Sequence, residues 1–267
     1  GLIMKDIFSI EGKVAVVTGG SRGIGEMIAS GFLASGAKVY ISSRKVEVCD
    51  ATAERLTKEF GSECISIPAD LSNIEGIELL ANEVTNREAK LDILINNAGA
   101  SWGAPIDEYP EMGWDKVMDT NVKGVFFLTQ RLLPSLRNAA KKENPSRIVN
   151  IGSVDGIKTG GFDAFAYGPS KAALHHLTRI LAASLIKENI IVNAIAPGPF
   201  PTWMLSTGVG FGGKTDVDWG VVGEQNPSGR VGNMEDIAGL AIFLCSRASA
   251  YTVGQTITCD GGAVASS

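Results

Sequence analysis

The chain has 267 residues, enough for one large domain with a substantial core. It is 45% hydrophobic and 20% charged, and its net charge of −5 offers no footprint for nucleic acid and no basic patch for an anionic membrane. Its apolar runs fall short of the ~20 residues of a membrane span, and the opening stretch GLIMKDIFSIEGKVAVV lacks the charged-then-apolar layout of a signal peptide.

Short β-branched runs alternate with longer helical patterns. KVAVVTG (13–19) reads as a strand and 24–35 as a helix. AKVYISS (37–43) is the second strand, followed by a helix over 46–60. CISIPAD (64–70) and LDILINNAG (91–99) are strands on either side of a helix over 73–87. A long helical region covers 111–137, and SRIVNIGS (146–153) is the fifth strand. Pro169 belongs in the first turn of a helix, so the next helix starts near Gly168 and runs through KAALHHLTRILAASLIK. IIVNAIAPG (190–198) and QTITCDGG (255–262) are the last strands, with a helix over 234–246 between them. Near-continuous apolar strands imply burial on both faces. The alternation predicts an α/β fold in one domain, 1–267: a Rossmann-type doubly wound parallel sheet of about seven strands with helices on both faces.

The first strand-to-helix turn reads TGGSRGIGEMIA (18–29). Gly19, Gly23 and Gly25 supply a tight turn and a bare backbone that can meet a pyrophosphate. With Ser21, Arg22 and Ile24 they lead into a helix N-terminus, whose N–H groups favour anions. After the second strand an NAD site wants a carboxylate for the ribose 2′-OH. This chain has Ser43 and Arg44 there and no acid. Arg44 and Arg22 suit a 2′-phosphate, so NADP(H) is expected over NAD(H). The plainer alternative is two solvated surface arginines.

Tyr167 and Lys171 stand four residues apart and share a helix face if the helix already holds at Tyr167. Taken alone, the pair is an ordinary surface Tyr and Lys. His175 and His176 are the only histidines, and as helical neighbours they point about 100° apart. They are poor co-ligands, and a surface or subunit-contact role is expected. The cysteines Cys49, Cys64, Cys245 and Cys259 are scattered, so no metal site is expected and a reduced, cytoplasmic setting is.

Taken together, TGxxxGxG at 18–25, NNAG at 96–99, Asn121 in TNVKG, Ser153, YGPSK at 167–171, APG at 196–198 and a terminal DGG resemble the short-chain dehydrogenase/reductases over essentially the whole chain. Within that family the chain looks most like the β-ketoacyl reductase branch. The resemblance implies that Tyr167 is the general acid/base and that Lys171 tunes it and grips the nicotinamide ribose. An ammonium ~4 Å from the phenol, at an effective dielectric of ~20, would favour the phenolate by up to ~4 kcal/mol. Ser153 would hold the substrate carbonyl, and the Asn121 amide would hold a water on the way to Lys171. Asp70 and Leu71 match the pair that brackets adenine. Asn97, Ala98 and Gly99, with Asn96 before them, match the turn that meets the adenine ribose. Pro197 and Gly198 begin the segment over the nicotinamide, and Thr202 matches a Thr that binds carboxamide or phosphate.

Two features depart from the pattern. The Ser153–Tyr167 spacing is one residue longer than in many relatives, and Gly152 stands where a Ser is usual.

Residues 198–226 are Gly-rich and follow the strand end beside the nicotinamide, so they read as a substrate lid. Their apolar members are Phe200, Trp203, Met204, Leu205, Phe211 and Trp219. Of these, Phe200, Trp203 and Met204 are the expected substrate contacts, and an apolar lid favours ketones with an apolar arm. The expected activity is NADPH-dependent reduction of a ketone, of the β-ketoacyl thioester or a similar apolar-armed kind, to a secondary alcohol. An alcohol, sugar or steroid dehydrogenase working oxidatively, and a non-catalytic NADPH-binding regulator, are the alternatives. The family resemblance also implies a homotetramer or homodimer.

Overall fold

Side chains along the first strand alternate between two cores. In β1 (Val14–Thr18), Ala15 and Val17 face one apolar cluster and Val16 faces the other. That is the two-sided burial of a central strand in a doubly wound sheet. The structure is a computed structural model, and it describes residues 3–202 and 217–267. The remaining strands are β2 (Lys38–Ser42), β3 (Cys64–Ser66), β4 (Ile93–Asn96), β5 (Ser146–Ile151), β6 (Ile190–Pro197) and β7 (Thr256–Cys259). All neighbours pair in parallel, in the order β3-β2-β1-β4-β5-β6-β7.

Helices α1 (Gly23–Ala34) and α2 (Val46–Phe60) cover one face together with α8 (Met234–Cys245). Helices α3 (Ile74–Arg87), α5 (Gly124–Ala139) and α6 (Tyr167–Leu185) cover the other. The order of strands reverses between β1 and β4, which opens the ligand crevice at their carboxyl ends.

The predicted helix over 111–137 is present but interrupted. It consists of α4 (Glu111–Met118), a π turn over Asp119–Lys123 and α5. Asn121, a poor residue for a helix interior, lies inside the π turn and is fully buried. Single π turns often mark functional sites. Of the expected lid, residues 198–202 and 217–226 are described. They include a short helix, α7 (Trp219–Glu224), which Asp218 caps by accepting from the Gly220 and Val221 N–H groups. Among the described residues no helix is long and apolar enough to cross a membrane.

Candidate active site

The turn after β1 is a cradle built for a close-lying ligand. Gly19 and Gly23 have positive φ, and a Cβ on Gly25 would sit 2.1 Å from the Gly19 carbonyl oxygen. Only glycine fits there, so the backbone stays bare where α1 begins. The Thr18 Oγ1 accepts from the Asn97 and Ala98 N–H groups, both at 2.9 Å, and Asn97 Nδ2 donates to the Gly19 carbonyl. The NNAG turn is thereby tied to the glycine turn. Ser21 is buried, and its carbonyl accepts from Thr52 Oγ1. Thr202 lies over Gly23, with its methyl 3.5 Å from where a Cβ there would be.

At the end of β2 the hydroxyls of Ser42 and Ser43 are buried without a hydrogen-bond partner. Arg22 and Arg44 are exposed at the same rim. Orphaned hydroxyls beside cations, next to a Gly-lined helix N-terminus, fit a dinucleotide with an extra phosphate. Asp70 and Leu71 end the stretch after β3. Burial raises the Asp70 carboxyl, but its two hydrogen bonds from Ser72 and the nearby Arg44 and Lys116 outweigh this, so it sits below its ordinary value.

Tyr167 is the first residue of α6, so helical geometry does hold there. Lys171 lies one turn on, with Nζ 5.7 Å from the centre of the Tyr167 ring. Nζ donates to the Ile151 carbonyl at 2.9 Å. Ser153 follows β5, at the carboxyl edge, and its Oγ accepts from the Asp155 N–H at 3.1 Å. Ser153, Tyr167 and Lys171 therefore meet at one point, two on a helix face and one at a strand end. Gly99 follows β4, Pro197 ends β6 with Gly198 after it, and Ile24 is in the first turn of α1. The Asn121 Oδ1 and Lys171 Nζ both flank Gly99.

Three expectations are corrected here. First, Lys171 does not acidify Tyr167 in the chain by itself. Burial first and the Asp155 carboxylate second push the Tyr167 phenol up to about 12, and the facing Ser153 hydroxyl only partly opposes them. Burial brings Lys171 itself down to about 8. Its Nζ lies over the ring and donates to the Ile151 carbonyl. Second, the Asn121 amide is already engaged. Its Oδ1 accepts from the Ala100 N–H, and its Nδ2 donates to the Ala100 carbonyl and to Ser170 Oγ. Both amide hydrogens are used, so the side chain clamps β4's following loop onto α6 and has no donor left to hold a water. Third, Phe200 is 2% exposed and packs in the core against Gly232, so it is not a substrate contact. Trp203 and Met204, the other two expected contacts, lie outside the described residues.

Two residues beside the site carried no functional expectation. Asp155 is two residues past Ser153 and faces Tyr167. His175, expected at the surface or a subunit seam, is half-buried, and its Nε2 accepts from the Ser153 N–H at 3.3 Å. Its sequence signal was the spacing Tyr167, Lys171, His175, which is one helix face. His176 is exposed and pairs with Arg179.

Residues 19–264 match the family model described as enoyl-(acyl carrier protein) reductase. The chain belongs to the short-chain dehydrogenase/reductases and is an oxidoreductase of that family. Among its relatives, it is 50% identical over 259 residues to the rhamnolipids biosynthesis 3-oxoacyl-(acyl-carrier-protein) reductase of Pseudomonas aeruginosa, covering 97% of this chain and 99% of that one. It is 36% identical to the 2-dehydro-3-deoxy-D-gluconate 5-dehydrogenase of Dickeya dadantii, covering 96% of each. Among solved structures, the Pseudomonas aeruginosa RhlG/NADP active-site complex superposes with a TM-score of 0.90 at 49% identity, covering 98% of this chain and 100% of that one.

Proposed function

We propose that this chain reduces a ketone with an apolar arm, of the β-ketoacyl thioester or β-keto ester kind, to a secondary alcohol at the expense of NADPH. The observation that carries the reading is the meeting of Ser153, Tyr167 and Lys171 beside the Gly-lined cradle. NADPH bound there supplies the hydride that reduces the carbonyl carbon. Gly19, Gly23, Gly25 and the start of α1 would hold its pyrophosphate, and Ser43, Arg22 and Arg44 its 2′-phosphate. Ser153 Oγ donates to the substrate carbonyl oxygen and fixes its direction. Tyr167 Oη gives that oxygen its proton. A phenol pushed up to about 12 keeps the proton at neutral pH, the state a donor needs. Lys171 Nζ, buried beneath the ring, returns a proton to the phenol oxygen.

The 50% relative acts on 3-oxoacyl groups carried by a protein, which supports the acyl reading over a sugar acid. The apolar residues in the sequence of 198–226, Trp203 and Met204 among them, suit a substrate with an apolar arm. The protein works in the cytoplasm as a homotetramer, without nucleic acid or membrane.

The test is a homologous series of β-keto esters with NADPH oxidation as the readout, for wild type and Tyr167→Phe. Burying each extra CH₂ adds up to ~0.8 kcal/mol, so efficiency should climb with arm length until the pocket is full. Tyr167→Phe should lose about two to four orders of magnitude in kcat and keep NADPH binding. Flat efficiency along the series, near-normal turnover by the Phe variant, or a preference for polyols with NAD would each overturn the reading.

A further inference from the structure

We propose that His175 is a positioning residue that holds the Ser153 backbone, and through it the Ser153 hydroxyl, in line with Tyr167. The proposal rests on the ketoreductase reading for what Ser153 does.

The Gly152 N–H still pairs with the neighbouring strand, donating to the Ile195 carbonyl at 2.7 Å. The next N–H, that of Ser153, turns to a side chain instead and meets His175 Nε2. The other Ser153 groups are occupied locally: its carbonyl accepts from the Gly156 N–H and its Oγ from the Asp155 N–H. The imidazole thus ties the Ser153 backbone to α6. It is also tightly seated. A Cβ on Gly152 would lie 1.9 Å from His175 Nε2, and a Cβ on Gly156 would lie 2.7 Å from Cε1. Two glycines make the notch, and the ring fills it. Gly152, the departure from the usual Ser, has its reason here: a side chain at 152 and an imidazole at 175 exclude one another.

For Nε2 to accept, the imidazole must be neutral with its proton on Nδ1. Burial, with Lys171 nearby, brings His175 down to about 4, which keeps it neutral in the working range. The arrangement also answers the longer loop between Ser153 and Tyr167. A longer loop fixes the distance between its ends less well. Here α6 carries Tyr167, Lys171 and His175 on one face, so the helix that aims the acid also anchors the serine.

Four variants test this with NADPH and a β-keto ester: His175→Ala, His175→Gln, Gly152→Ser and the double change Gly152→Ser with His175→Ala. His175→Ala should lower kcat by about tenfold or more while the KM for NADPH stays within about twofold. His175→Gln, whose amide oxygen can accept the same N–H, should recover most of that loss. Gly152→Ser should be strongly impaired, and the double variant should exceed it because the clash is gone. Wild-type kcat in His175→Ala, or equal impairment of the Ala and Gln variants, would overturn the proposal. A readout independent of turnover is the ¹⁵N spectrum of the His175 ring in the NADPH-bound protein. The proton should sit on Nδ1, and a proton on Nε2 would overturn the proposal whatever the substrate proves to be.

Discussion

The Tyr167 phenol shows how far a residue's chemistry departs from its spacing. Four residues to Lys171 made the pair legible in the sequence, and the helix start at Tyr167 bears that geometry out. The charge that acts on the phenol was not legible, because Asp155 reaches it through the fold of the 154–166 loop. Burial first and the Asp155 carboxylate second hold Tyr167 high. Reduction needs the proton on Tyr167 Oη, so activity falls as pH rises through its pKa. Asp155→Asn removes a negative charge that favours the protonated phenol, so the pKa drops. The alkaline limb of the kcat profile should therefore move to lower pH, while the Asp155 N–H keeps its bond to Ser153 Oγ. A limb that stays put or moves up would show that Asp155 does not act on Tyr167. His175 escaped the sequence for the same reason: its partner, the Ser153 N–H, is 22 residues away.

At the scale of elements, hydrophobic periodicity placed every strand and every helix that frames the crevice, with ends off by a few residues. The strands were legible because burial on both faces leaves runs that are nearly all apolar. The π turn in the long helix was less so. Asn121 marked an irregularity, but its use as a clamp depends on Ala100 and Ser170, which only the fold brings near. The helices also approach the cofactor turn very closely. A Cβ on Gly124, the first residue of α5, would lie 2.3 Å from the Leu71 carbonyl oxygen, and one on Gly76 in α3 would lie 1.8 Å from that of Asp70. Neither contact is with a flexible side chain, so the turn itself must move. Gly124→Ala should displace Asp70 and Leu71, the pair proposed to bracket adenine. The KM for NADPH should rise by about tenfold, with kcat changed far less. A variant with unchanged KM would mean that this turn does not bear on the cofactor.

At the scale of the molecule, the parallel sheet leaves α4, α5 and α6 with outward apolar side chains that no described element covers. Met112 and Trp114 on α4 are 67% and 42% exposed, and Ile180 on α6 is 51% exposed. Phe126 on α5 is more than a third exposed and stacks edge-on with Phe127. Exposed apolar side chains on neighbouring helices suit an association face, and closed symmetry is the usual way such a face is satisfied. A weak negative charge of −5 does not keep copies apart at ordinary salt. The tetramer proposed for this protein makes α5 and α6 its main seams. Light scattering at micromolar concentration should give about four times the mass of one chain. Ile180→Glu would place a charge in the α6 seam, where an unpaired carboxylate is costly to bury. Its mass should fall to that of a dimer or a single chain, while the core around Leu181 and Leu185 stays packed. A single-chain mass for the wild type, or a tetramer undisturbed by Ile180→Glu, would move the seam away from these helices.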